Sequence, residues 1–339
     1  MLVTLKQHIS VFISILNTKY SLPGNYYINS FLYIIMLSRL IKFIFFGNYF
    51  VGFLAVALSV ETCVQLRLPF NSAPYYLLLF CATVMYYTYA YTGVLQSSSG
   101  TNLRSEWYRQ NQKLVWYTQW FLLLLCTLFG VVMVLNYAAN IMELPLSYWA
   151  IILVLLLSSV LYYGLLPKAI FKLNLRNTGW LKAFVIGFVW AGCVSLIPIV
   201  VLRLEQTPHL ADPVLITGLF IKNWMFCTIN AIMFDIKDYA DDSNQQLKTF
   251  VVSFGLHRTI SYVLIPLSLI GIAAMLGFTY YRHFSLLPVL INLIPFLLLI
   301  LVSYSMYREK SILYYLVVID GLVLIKALCG ILAMQFVNS

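Results

Sequence analysis

The chain has 339 residues, of which 62% are hydrophobic and 9% charged, with a formal net charge of +10. Soluble domains carry roughly 25% charged residues, so a soluble fold is excluded, and the mean hydropathy of +0.89 places the chain in the integral membrane class. The apolar runs are continuous rather than alternating, which excludes a β-barrel.

The first 27 residues hold Lys6 and a short apolar stretch from Ile9 to Leu16, without a convincing small-residue cleavage site. Residues 28–42 carry Arg39 and Lys42 among Leu, Ile and Phe; this pattern predicts a helix lying in the membrane interface. The domain reading is an N-terminal cytoplasmic or interfacial segment over 1–42 and one transmembrane domain over 43–339. A helical span needs about 20 apolar residues. Nine stretches meet that length, at 43–66, 73–95, 115–136, 146–166, 180–202, 212–234, 260–278, 285–305 and 315–336. The expected fold is therefore all-α: nine transmembrane helices with an N-terminal interfacial helix.

Basic residues orient the bundle. With a cytoplasmic N-terminus, one side collects sixteen Lys and Arg, while the other keeps Arg67, Arg203 and Arg282. This bias accounts for the positive net charge without a nucleic-acid partner. It points instead to an anionic lipid surface or a phosphorylated substrate. Orientation of this kind fits an inner, cytoplasmic-type membrane. All six cysteines lie in the expected spans and form no CxxC pair, and the four histidines are scattered, so no zinc or haem constellation is present. No internal repeat is evident, which counts against a transporter built from paired halves.

Of six aspartates in the chain, four fall in the stretch Asp235, Asp238, Asp241 and Asp242, at the end of the sixth span. At about 100° per residue, Asp235, Asp238 and Asp242 share a helical stripe about 60° wide, with Asp241 and Lys237 pointing away. Like charges at that spacing repel, and a divalent cation would reverse the sign. Within apolar stretches sit Lys222 and Asn223, and further on Asp320 and Lys326. Ionisable residues at depth usually face a cavity or a partner, so these four are cavity candidates, with an ion pair between spans as the alternative. Glu61 lies near the end of the first span, where snorkelling with Arg67 is expected. Tyr86, Tyr87, Tyr89 and Tyr91 fall on different helical faces, and none is given a particular role.

The run Asp235, Asp238, Asp242, Lys248, Thr249 and Gly255 resembles the second aspartate motif of the UbiA-type membrane prenyltransferase superfamily, with Gln246 in place of a glycine. The stretch Leu175–Lys182 with Trp190, and Asp320-Gly321, fit the same family. The resemblance implies nine helices around a central cavity, and Mg²⁺ held by Asp235, Asp238 and Asp242. Lys248, Arg104 and Arg109 would help bind a prenyl diphosphate, whose prenyl group passes to a lipid-soluble acceptor. The chain departs from the family in its first motif. No aspartate precedes Asp212, and the corresponding loop offers only Gln96, Ser97 and Glu106. Glu106 is a further cavity candidate, with pairing to Arg104 or Arg109 as its plainer role. The departure leaves a second implication open: a prenyl-lipid-binding or scaffold subunit working with protein partners in a membrane complex.

Overall fold

The computed structural model describes residues 36–92, 103–163, 179–206, 212–244 and 247–337. Residues 1–35, and the loop positions Gln96, Ser97, Lys168, Lys172 and Arg176, lie outside the described residues. Contacts divide the chain into two units at Ile44/Phe45. The described part of the first unit, residues 36–44, is helical.

Among the described residues every regular element is a helix. In chain order these are α1 (Met36–Phe46), α2 (Tyr49–Gln65), α3 (Ala73–Thr92), α4 (Leu103–Gln110), α5 (Gln112–Met142) and α6 (Leu146–Tyr163). They continue with α7 (Leu181–Glu205), α8 (Pro213–Lys237), α9 (Tyr239–Asn244), α10 (Phe250–Phe254), α11 (Leu256–Tyr281), α12 (Leu286–Ser305) and α13 (Ile312–Met334). Each of the nine apolar stretches overlaps one of these helices. Six of them (α5, α7, α8, α11, α12 and α13) are long and apolar enough to cross a membrane, and a seventh span results if α1 and α2 count as one. The helix α6 is short, and α3 is diluted by tyrosines and threonines. Because lipid offers no hydrogen bonds to a backbone, helices are the form such apolar segments must take.

The termini are fixed by ordinary capping. Asp212 caps α8, its Oδ1 accepting from Val214 N at 2.8 Å, with Pro213 opening the helix where no N–H is needed. Its Oδ2 accepts from Tyr281 Oη at 2.7 Å, which ties the start of α8 to the end of α11. The core is formed by Leu54 and Leu58 of α2, Phe226 and Ile229 of α8, Phe296 of α12 and Leu322 of α13. By contrast α5 turns Trp116, Trp120, Leu124 and Leu135 outward. An apolar exposed surface of that extent is what a lipid-facing helix presents.

Three helices contain a widened π turn, at Gly192–Leu196, Ile260–Leu264 and Tyr315–Ile319. Such turns disturb the regular ladder, and two of them hand a carbonyl to a neighbouring helix. Val194 O accepts from Thr62 Oγ1 at 2.7 Å, and Ile319 O accepts from Asn230 Nδ2 at 3.3 Å.

Candidate functional site

The aspartate run begins inside α8 and ends in α9. The first helix stops at Lys237, and Asp238 takes a φ of −91° and ψ of 8° at its end. Asp242 N still reaches Asp238 O at 2.8 Å, so the chain winds on after the irregularity. Asp235 and Asp242 are buried, and both face Lys182 in the first turn of α7. Lys182 Nζ lies 2.8 Å from Asp235 Oδ1 and 3.7 Å from Asp242 Oδ2. Asp238 goes elsewhere: its half-exposed carboxylate is 2.6 Å from Lys237 Nζ. The structure thus joins two of the three predicted carboxylates on one ammonium. The side chain of Asp241 is outside the described set.

A glycine places that lysine. Gly179 has a φ of +68°, and a Cβ there would collide with the carbonyl of Lys248. Only glycine combines this backbone conformation with so close an approach. The segment leading into α7 therefore lies directly on the Lys248 backbone, and Trp180 packs on Phe250 with ring centroids 6.3 Å apart. Thr249 caps α10, accepting from Val252 N at 3.4 Å, and Gly255 at φ +78° separates α10 from α11. The Thr and Gly of the motif thus have structural duties. The Lys248 side chain is exposed.

The fit to a magnesium ion can be judged from these atoms. Asp235 Oδ2 is buried and, among the described residues, has no hydrogen-bond partner; such an orphan is costly unless something fills it. Mg²⁺ usually takes one or two carboxylates and keeps waters or phosphate oxygens for the rest. Asp235 and Asp242 supply that pair. Among the described residues no group of three or more His, Cys, Asp or Glu is arranged to hold a metal.

An apolar cavity of about 290 Å³ lies between α2, α3, α6 and α7. Tyr86, Tyr87, Ser159, Tyr162 and Trp190 line it. Trp190 Nε1 donates to Tyr87 Oη, and Tyr86 Oη donates to Ser159 O at 3.3 Å. Tyr162 also lies within electrostatic reach of Lys182, and Val185 and Ile186, one turn along α7 from that lysine, line the same cavity. Tyr86 and Tyr87 thus acquire a definite place that period alone did not assign, whereas Tyr89 is exposed.

Arg104 is buried and internally committed. Its Nε and Nη2 donate to Phe46 O at 3.2 and 3.0 Å, Nη2 to Asn48 Oδ1 at 2.5 Å, and Nη1 to Tyr91 Oη at 2.8 Å. Its guanidinium also lies 4.1 Å from the Tyr91 ring centroid. Asn48 sits at φ 65° and donates to Thr88 and Tyr108, which closes the network. Arg104 is thus a fastener between α4 and the start of α2. Arg109 and Glu106 are exposed, and Glu106 Oε1 accepts from Gln110 Nε2 at 3.0 Å. Asp320 is partly buried at the end of the bundle where Arg104 and Lys237 exert their charge on it.

The remaining candidates form a second centre. Glu61 is not at an interface with Arg67: it is fully buried, because α13 brings Gly330 against it and a Cβ there would collide with Glu61 Oε1. Lys326 Nζ is 2.6 Å from Glu61 Oε2 and also donates to Asn223 Oδ1. Lys222 Nζ is 3.4 Å from Glu61 Oε1 and 2.8 Å from Gln65 Oε1. Lys222, Asn223 and Lys326 are therefore joined by an ion-paired network between spans. Lys182 and Glu61 were the residues that sequence reasoning left without a site. The signal for the first was its place after Gly179-Trp180, and for the second its burial among apolar neighbours rather than its distance from a helix end.

No protein-family model, no curated protein and no solved structure matches this chain.

Proposed function

We propose that this protein crosses an inner, cytoplasmic-type membrane nine times, with its N-terminus and aspartate cluster in the cytoplasm. Within the membrane it transfers a prenyl group from a prenyl diphosphate to a lipid-soluble acceptor. The observation that carries this reading is an apolar, tyrosine-lined cavity against α7, the helix whose first turn sets Lys182 on Asp235 and Asp242. An isoprenoid diphosphate has that shape: a long apolar tail ending in a concentrated anion.

The residues divide the work accordingly. Asp235 and Asp242 would hold Mg²⁺, which when bound neutralises negative charge on a diphosphate leaving group. Lys182 keeps the two carboxylates together and offers its own charge to phosphate oxygens, with the exposed Lys248 and Arg109 near the cytoplasmic end as further phosphate contacts. Tyr86, Tyr87 and Trp190 enclose the tail and exclude water, so that an allylic cation meets the acceptor first. Their ring faces also favour a cation electrostatically. Arg104 contributes by anchoring α4.

A second reading keeps the tail site but not the chemistry, as a prenyl-lipid-binding or scaffold subunit in a membrane complex. It is favoured by the ion pairs that already compensate Asp235 and Asp242.

The deciding experiment is binding of a non-hydrolysable geranylgeranyl diphosphate analogue to purified protein, with and without Mg²⁺, for the wild type and for Asp235→Asn. Saturable, metal-dependent binding lost in the variant supports the transferase. Binding indifferent to metal and to the variant supports the second reading. Absence of binding defeats both.

A further inference from the structure

Three ionisable groups meet near the middle of the bundle, away from the aspartate cluster and unused by the proposed reaction. Glu61 is 0% exposed, and Lys222 and Lys326 are each 3% exposed. Their neighbours are neutral. Gln65 Nε2 donates to Glu61 Oε1 at 3.2 Å and to Asn292 Oδ1 at 3.3 Å, and Asn223 Nδ2 donates to Ser195 Oγ at 2.7 Å. Among the described residues, Cys227 of α8 and Cys329 of α13 also lie within electrostatic reach. Thiols in apolar surroundings stay protonated and add no balancing charge.

With every group in its usual state, two ammoniums would share one carboxylate and leave one positive charge uncompensated. An unpaired charge in the interior is strongly unfavourable. The Phe278 ring, 5.8 Å from Lys222 Nζ, offsets only a small part of that. The contacts separate the two lysines. Lys326 makes the short bond to Glu61 and a second to Asn223 Oδ1, as an ammonium does. Lys222 has two acceptors, Gln65 Oε1 and the more distant Glu61 Oε1, which an uncharged amine with two N–H groups satisfies in full.

We infer that Glu61, Lys222 and Lys326 form a buried proton-binding site at membrane depth, in which Lys326 carries the charge and Lys222 is the amine that accepts a further proton. The site joins α2, α8 and α13, so its protonation acts on the packing of three helices at once.

The test is proton linkage in the full-length protein in neutral detergent. A water-exposed lysine titrates near 10.4. In the alkaline window below that value, where the folded Lys222 is the free amine, the unfolded chain therefore holds one proton more than the folded cluster, and stability rises with pH. Relative to Lys222→Met, the wild-type unfolding equilibrium constant should fall about tenfold per pH unit across that window, the signature of one proton. If Lys222→Met does not fold, Lys326→Met is read in the same way, because removing either lysine leaves a balanced pair. Parallel profiles for wild type and variant would overturn the inference, since they mean both lysines stay charged.

Discussion

Lys182 stands in the first turn of α7 with its Nζ 2.8 Å from Asp235 Oδ1, on a different helix, and is the group on which the buried carboxylates converge. Removing one partner of such a buried pair leaves an uncompensated charge, which costs about 3–5 kcal/mol. Lys182→Ala should therefore lower the thermal unfolding midpoint markedly. Combined with Asp235→Asn it should recover part of that loss. A strictly additive double variant would contradict direct coupling between the two.

Arg104 is expected to behave as a structural residue. Arg104→Ala strands Asn48 Oδ1, a buried acceptor costing about 1–3 kcal/mol, and leaves the Phe46 carbonyl with the Tyr108 hydroxyl at 2.9 Å as donor. Arg104→Lys should recover little, because a lysine cannot reproduce the fork. Arg109→Ala, on the exposed side of the same helix, should leave stability unchanged. Chemical-denaturant curves on the three variants would separate these outcomes.

Two glycines make a matched pair. At Gly330 of α13 a methyl group has nowhere to go, since Glu61 and Gln65 occupy the space, and overpacking costs about 1–3 kcal/mol. At Gly277 of α11 nothing lies within 4 Å of an added Cβ, and alanine should stabilise the helix by about 0.5–1 kcal/mol. Opposite signs in the two unfolding midpoints are expected; a common sign would mean that α13 does not approach α2 so closely.

Acid should weaken the start of α8. The Tyr281 hydroxyl and then the Val214 amide hold the exposed Asp212 carboxyl below the usual carboxylate range. A lowered folded value contributes stability that is complete above the unfolded value of about 3.9 and is lost as pH falls below it. Asp212→Asn should flatten the acidic limb of the stability profile. An unchanged limb would show that the Tyr281 contact does not persist in solution.

Orientation is open to a direct measurement. Ser243 and Ser285 are both exposed, and they lie on opposite sides of the expected topology. In sealed cells a membrane-impermeant maleimide should label Ser285→Cys and spare Ser243→Cys. The reverse pattern would invert the proposed topology.

The sequence by itself determined the class of protein and its all-helical character. Apolar segments of this length must satisfy their own backbone in lipid, and the helix is the form that does so. The cap at Thr249 and the breaks at Gly179 and Gly255 came only with the fold, since in the sequence Thr249 and Gly255 stood as members of a motif and Gly179 had no assigned part. What the sequence also left open was rotation about each helix axis. In a soluble helix the polar face marks the outside, but here core and lipid are both apolar, so the pattern of α8 or α13 does not say which face turns inward. Glu61 therefore read as an interfacial residue beside Arg67, and Lys182 only as the close of the Leu175–Lys182 stretch. Only the packing of α2 against α13, with Gly330 making room, and of α7 against α8, with Gly187 against Thr228, decided that these side chains meet charges on other helices.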